Sequence, residues 1–412
     1  MFFRLACKSL LNRKASVLLT VLAMSVSVFV LLGVEHIRSQ TKQSFSNTVS
    51  GVDLIVGART GSLNLLLYSV FRMGSPTNNI DWRTYEAIAA NPKVDWTIPI
   101  SLGDSHKGYR VMGTTADYFK HFSYGQKRKL SFASGQSFSD VLDVVLGAEV
   151  ASKLGYSLGD DIVVAHGLAS TSFSLHDDKP FKVVGILAAT GTPVDQTVHV
   201  SLAGIEAIHD GWQQGVKLPG GASTAAVDSK QLQPEKITAI MLGLTSRMAT
   251  FRVQRDINNY RKEPLSAILP GVALSELWQM MGVLENTLRL VSGLILIAAL
   301  LGLSAMMMAS IRERSNEIHL LRVIGAPPGF LFLLIELEAV LISLLSIALG
   351  GLGLFVGLLL ASDYLATDFG LFIGVNILSG NNLIYLSLVM AATVLVAALP
   401  SFLVYRQARS SH

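Results

Sequence analysis

Apolar residues gather in four long runs, one before and three after a polar block that fills the middle of the chain. Residues 15–34, 290–311 and 339–362 carry no charge, nor does a final stretch ending at Tyr405. Each run holds about 20 residues or more, which at about 1.5 Å per helical residue crosses a hydrocarbon core of about 30 Å. None alternates as a barrel strand would, and an apolar core leaves backbone donors unsatisfied unless the span is helical. The pattern therefore predicts an α-helical membrane protein with four transmembrane helices plus a mixed α/β extracytoplasmic domain between helices 1 and 2.

The middle block has a shorter period. Val52-Asp53-Leu54-Ile55-Val56, Val144-Val145-Leu146, Asp161-Ile162-Val163-Val164 and Phe181-Lys182-Val183-Val184-Gly185-Ile186 are β-branched runs bounded by Gly or Asp, and each predicts a strand. A further strand is predicted over 237–244, and residues 148–154 predict a short helix stopped by Gly155. The Gly- and Ser-rich stretch 218–224 predicts an exposed loop. Residues 37–49 continue the first span outward as a helical stalk, and 274–289 form a helix running into the second.

Half the residues are hydrophobic and 15% are charged, and the mean hydropathy is +0.48, which sets the chain apart from soluble proteins. Lysine and arginine then fix the orientation. Arg4, Lys8, Arg13 and Lys14 precede the first span, Arg312, Arg314 and Arg322 lie between the second and third, and Arg406 and Arg409 follow the fourth. Those flanks are expected on the cytoplasmic side. The remaining short connection has Asp363 and Asp368 but no Lys or Arg, so it and the polar block belong outside. The first run is longer than a signal-peptide core, and Glu35-His36-Ile37-Arg38 follows it with no small-residue cleavage pattern, so it reads as a retained anchor. Cys7 is the only cysteine, so the outer domain folds without an internal disulfide. No basic patch interleaved with aromatics supports a nucleic-acid partner.

Catalytic chemistry is hard to find. No G-x-x-x-x-G-K-[ST] phosphate loop occurs, and the cytoplasmic parts are too short for an ATPase. His166, His176 with Asp177-Asp178, His199 and His209 invite a periplasmic metal-handling reading, but their spacing gives no ligand set. There is no nucleophile elbow. Glu336 and Glu338, near the cytoplasmic end of the third span, are expected to snorkel or to pair with Arg312 or Arg322. Gly350, Gly351, Gly353 and Gly357 are expected to let helices pack closely.

Between the second and third spans stands Glu317-Ile318-His319-Leu320-Leu321-Arg322-Val323-Ile324-Gly325-Ala326, an amphipathic segment suited to a groove in another protein. It resembles the E-I-G-L-L-R-A-I-G-A segment of the MacB/FtsX-like (lipoprotein-release and efflux type, type VII) ABC transporter permeases, with His319 in place of the usual glycine. Glu338-Ala339-Val340-Leu341 and the glycines after it resemble the family's third span. Val144-Val145-Leu146-Gly147, Leu154-Gly155, Leu158-Gly159-Asp160 and 181–186 resemble its periplasmic core domain. The tail after Pro400 lacks the family's basic ending.

The resemblance implies a non-catalytic permease subunit of a bacterial inner membrane, with no cofactor on this chain. ATP and magnesium would be bound by a separate ATP-binding subunit that docks on a coupling helix through Glu317, Leu320, Leu321, Arg322, Ile324 and Gly325. Two permease copies or paralogues would pair, and the output would be mechanotransmission: periplasmic work such as lipoprotein release or substrate export, with a periplasmic adaptor, lipoprotein or outer-membrane partner. A non-transporting regulator or receptor controlling a periplasmic hydrolase or adaptor is the competing class. The expected division is a cytoplasmic amphipathic segment 1–14, helix 15–36, periplasmic domain with stalks 37–285, helix 286–311, coupling helix 312–328, helix 329–362, periplasmic hairpin 363–382, helix 383–405 and cytoplasmic tail 406–412.

Overall fold

The structure, a computed structural model, describes residues 2–167, 179–209, 212–213, 216–217, 232–313, 320, 323–369, 374, 376–377 and 380–410. It divides into two compact units. One is helical and takes both ends of the chain; the other is the α/β block between them.

The helical unit begins with α1 (Phe2–Asn12), whose Ala6 and Ser9 are buried, and α2 (Lys14–Asn47). It continues in α9 (Pro270–Glu313), α10 (Pro328–Phe369) and α11 (Gly380–Ser410). The intervening numbers belong to the α/β unit. Among the described residues α2 and α9 to α11 are long and apolar enough to cross a membrane. Both α2, with 34 residues, and α9, with 44, exceed what a crossing needs. At about 1.5 Å per residue they measure about 51 and 66 Å against a core of about 30 Å. Helix α10 runs on to Phe369, into residues assigned from sequence to the hairpin, because no Gly or Pro interrupts 358–369.

Polar side chains inside this unit bond to neighbouring helices. Ser346 Oγ donates to Val21 O at 3.3 Å as well as to Ile342 O, and Thr393 Oγ1 donates to Ser343 Oγ at 3.1 Å. Arg38 bonds both Glu35 and Glu285, at 2.5 and 3.2 Å, which ties α2 to α9. His36 Nε2 lies 2.6 Å from Gly374 O.

The α/β unit is built on one mixed sheet. The nine strands of its main path in chain order are β1 (Leu54–Ala58), β2 (Val94–His106), β3 (Tyr109–Thr114), β4 (Phe132–Gly135), β5 (Asp143–Leu146), β6 (Phe181–Leu187), β7 (Thr197–Ser201), β8 (Ala239–Leu244) and β9 (Leu265–Ile268), and the short strands Asp161–Ile162 and Ala165–His166 pair with β6 and β2 beside it. Across the sheet they run β9-β1-β8-β2-β3-β7-β5-β6-β4. The pairs β3 with β7 and β5 with β6 are parallel, and the rest of that path is antiparallel. Alternation decides the layers, since successive strand residues point to opposite faces. Ile55 and Met241 join a core with Tyr118 and Phe119, whereas Leu54, Val56, Ile240 and Leu242 join another with Val253 and Ile257. Both faces are therefore covered.

The covering helices are α3 (Ser62–Val70), α4 (Trp82–Ala89), α5 (Asp117–His121), α6 (Ala148–Leu154), α7 (Leu202–His209) and α8 (Thr250–Asn258). Helix α6 ends where its sequence predicts, at Gly155 with φ +71°, a left-handed cap that costs glycine little. Two strand expectations shift. The first begins at Leu54 because Asp53 is spent as a cap, its carboxylate accepting Leu244 N–H at 2.8 Å. The third shrinks to Asp161–Ile162, because the carbonyl of Val163 faces His106 Nδ1 at 2.6 Å. The predicted loop 218–224 lies outside the described residues.

Candidate functional site

The segment between α9 and α10 is described only in part. Glu317, Leu321 and Arg322 lie outside the described residues. Around them, Ile324 N–H donates to Leu320 O at 3.1 Å, one helical turn, and Gly325 follows at φ +101°. A left-handed glycine after such a turn is a helix stop, and Pro328 starts α10 three residues later. Leu320, Val323 and Ile324 are 61, 71 and 82% exposed. Three apolar side chains are thus open on the turn that precedes α10.

The glycines of α10 differ from one another. A methyl on Gly350 would meet Ser25 O at 2.7 Å and Val28 at 3.1 Å, so α2 passes there too close for any side chain. Gly353 and Gly357 stand at ordinary contact distance from Phe29, and at Gly351 a methyl would meet nothing. Small residues matter in a lipid-exposed bundle where backbones approach, and Gly350 is the site of that approach.

Glu338 corrects an expectation. It is 4% exposed, and Ser9 Oγ donates to Oε1 at 2.5 Å while Arg13 lies 3.3 Å from Oε2. Its ionic partner therefore comes from the N-terminal segment rather than from Arg312; Arg322 lies outside the described residues. A buried carboxylate needs fixed partners, and Ser9 of α1 and Arg13, between α1 and α2, supply them where a snorkelling side chain would have reached water. Glu336 is buried as well.

In the α/β unit the histidines separate. The side chain of His166 and all of His176 to Asp178 lie outside the described residues. His199 is fully buried, its ring 5.3 Å from that of Tyr118 and 5.9 Å from that of Phe119. Burial, with the Arg72 charge behind it, holds His199 down to about 3, so the imidazole is neutral. His209 sits 3.6 Å from the buried Asp104, on a cavity of about 360 Å³ that Glu206 and Glu235 also line. Burial raises Glu206, and Glu235 adds to the shift. Among the described residues no group of three or more His, Cys, Asp or Glu could hold a metal ion.

One cluster has no trace in sequence spacing. Arg72, Tyr118 and His199 come from the end of α3, from α5 and from β7, and the sheet brings them together. Arg72 is 9% exposed and sits at φ +59°, a region a long side chain rarely adopts. Its guanidinium donates to Ser69 O and reaches Met112 Sδ, while Nε finds no partner. His199 Nε2 is likewise unpaired, and the Tyr118 hydroxyl lies against the Arg72 guanidinium. Burial pushes Tyr118 up to about 12, so its hydroxyl stays protonated.

A membrane unit with an open apolar turn between its second and third spans, carrying an α/β domain between its first and second, is the plan of an ABC transporter permease. The family model for the MacB-like periplasmic core domain matches residues 17–233, and that for the FtsX-like permease C-terminal region matches residues 289–410. The chain belongs to the MacB/FtsX-like permeases, with a MacB-like periplasmic domain. Among solved structures, the periplasmic region of MacB from Actinobacillus actinomycetemcomitans is similar at 10% identity and a TM-score of 0.35, covering 56% of this chain and 94% of its own. The extracellular domain of a noncanonic ABC-type transporter, YknZ, from Gram-positive bacteria is similar at 11% identity and a TM-score of 0.30, covering 53% of this chain and 98% of its own. At those scores neither likeness supports more. Curated proteins gave no match.

Proposed function

We propose that this permease works by mechanotransmission: a separate ATPase subunit binds and hydrolyses ATP, and this chain carries the resulting movement to its outer domain in a bacterial inner membrane. Two copies or paralogues pair, and both termini and residues 312–328 are cytoplasmic. The ATPase docks on the exposed face of Leu320, Val323 and Ile324 together with Glu317, Leu321, Arg322 and Gly325. The output is periplasmic work, such as lipoprotein release or substrate export.

One observation carries this reading. Helices α2 and α9 continue unbroken beyond the length a membrane requires, with no proline inside either. A helix that serves only as an anchor can stop at the interface; one that continues transmits rotation and translation along its axis.

A Gly-Ser insertion of about four residues after Gln43 tests it, because such a linker behaves as flexible coil and interrupts α2. ATP hydrolysis by the assembled complex should persist while the periplasmic output fails in a cell-based assay. Unchanged output at normal expression would leave α2 as a tether and the proposal without support.

A further inference from the structure

Between α3, β3 and α6 lies a cavity of about 390 Å³, within the range of small-molecule sites. Arg72 and Arg110 line it, with Tyr109, Phe71 and Pro193 as its apolar wall. Its one carboxylate among the described residues, Glu149, is held by Lys153 at 3.0 Å. Neither arginine has a carboxylate partner among the described residues. The wall thus carries Arg72, Arg110 and Lys153 against Glu149 alone.

A buried guanidinium without a counterion is costly, and a protein that keeps one in a rare backbone conformation has a use for it. Arg72 Nε and, deeper in the core, His199 Nε2 are buried without hydrogen-bond partners, and the Tyr118 hydroxyl lies against the Arg72 guanidinium. Of these three residues Arg72 alone lines the cavity, and its Nε is a donor without an acceptor. Guanidinium groups match the geometry of oxyanions.

We propose that this cavity binds an oxyanion group, phosphate or carboxylate, borne on a small apolar body, with Arg72 and Arg110 as its counter-charges and Phe71, Tyr109 and Pro193 against the apolar part. The site is separate from the ATPase docking face and does not depend on the lever reading. Burial and the nearness of Arg110 both draw the Arg72 guanidinium below its ordinary value, and an arriving anion reverses that penalty.

The full chain in phosphatidylcholine nanodiscs should be titrated calorimetrically with inorganic phosphate and, separately, with soluble dihexanoyl-phosphatidic acid. Wild type is expected to bind at least one probe saturably and to melt at a higher temperature in its presence. Arg110→Gln should weaken binding at least about tenfold, and Arg72→Met should abolish it while melting no lower than wild type in chloride. Tighter binding of the phosphatidic acid than of phosphate is expected, because it alone engages the apolar wall, and equal or tighter binding of phosphate would overturn the apolar part of the proposal. Should Arg72→Met fail to fold, Arg110→Gln decides alone, since Arg110 is only half-buried. No saturable binding of either probe to wild type, or equal binding by Arg110→Gln, would overturn the proposal.

Discussion

The α/β unit and the helical unit place their apolar residues in opposite ways. In the α/β unit Leu54, Ile55, Tyr68, Phe181 and Leu242 are at most 1% exposed, whereas in the helical unit Leu301, Leu360, Leu395 and Leu399 are 62, 80, 73 and 68% exposed. The interiors differ less. Both units close over packed hydrocarbon with hydrogen-bonded polar groups inside it, His199 and Asp195 in the α/β unit and, in the helical unit, Ser343 with Thr393, Ser346 with Val21 O, and Glu338 with Ser9 and Arg13. Each unit is matched to its solvent: water drives apolar surface inward, while lipid gives it no such drive and leaves close packing and hydrogen bonds to hold helices together.

The strongest challenge to that contrast is Leu395→Asp. On a water-facing surface an exposed site tolerates such a change within about 0.5 kcal/mol, but at the middle of a spanning helix a carboxylate costs about 2.5–3.5 kcal/mol. Poor membrane insertion in a glycosylation-mapping assay is expected. Wild-type insertion and melting would mean that these apolar rows do not face lipid.

Next in size is the close approach of α2 to α10. Gly350→Leu should lower stability by about 1–3 kcal/mol by overpacking against the Ser25 carbonyl, and Gly351→Leu, facing open space, should change it little. Thermal melts in detergent compare the two. Equal losses would show that the approach of α2 does not set the cost at Gly350, since helix propensity favours leucine over glycine at both positions.

The α/β unit answers to pH instead. His199 titrates near 3 when folded and near 6.5 when unfolded, so below pH 6.5 the unfolded chain takes up the proton first. Stability is then full above pH 6.5 and falls as pH drops toward 3, by about 2 kcal/mol at pH 5. His199→Phe should flatten this slope, as followed by tryptophan fluorescence during urea unfolding. A slope equal to wild type would assign the acid sensitivity to other groups.

How much of this could be read from the residues depended on whether the controlling force was local. The spans are stretches of uncharged sequence, and the end of α6 is one glycine, so both are legible. Strand β2 is not: Val94–His106 contains Pro99, Gly103 and three charged or titratable side chains, and its pattern raised no strand expectation. It is held as a strand by β8 on one side and β3 on the other, so tertiary pairing overrides propensity. The segment 317–326, for which docking is proposed, stands out only through its resemblance to a family. Arg72, Tyr118 and His199 were invisible because only the fold brings residues so distant in sequence to one place, and Glu338 found its partner in a segment that sequence charge alone assigned to the membrane flank.

The pairing of β1 with β9 has a consequence for the history of such chains. Ile55 lies opposite Ile268, so the outer domain begins and ends on neighbouring strands. A domain whose entry and exit are side by side can be inserted between two helices, enlarged, or exchanged for another without prising those helices apart. Selection can therefore change what the outer part recognises while leaving the membrane machinery untouched, a modular arrangement by which one engine could be fitted to many tasks.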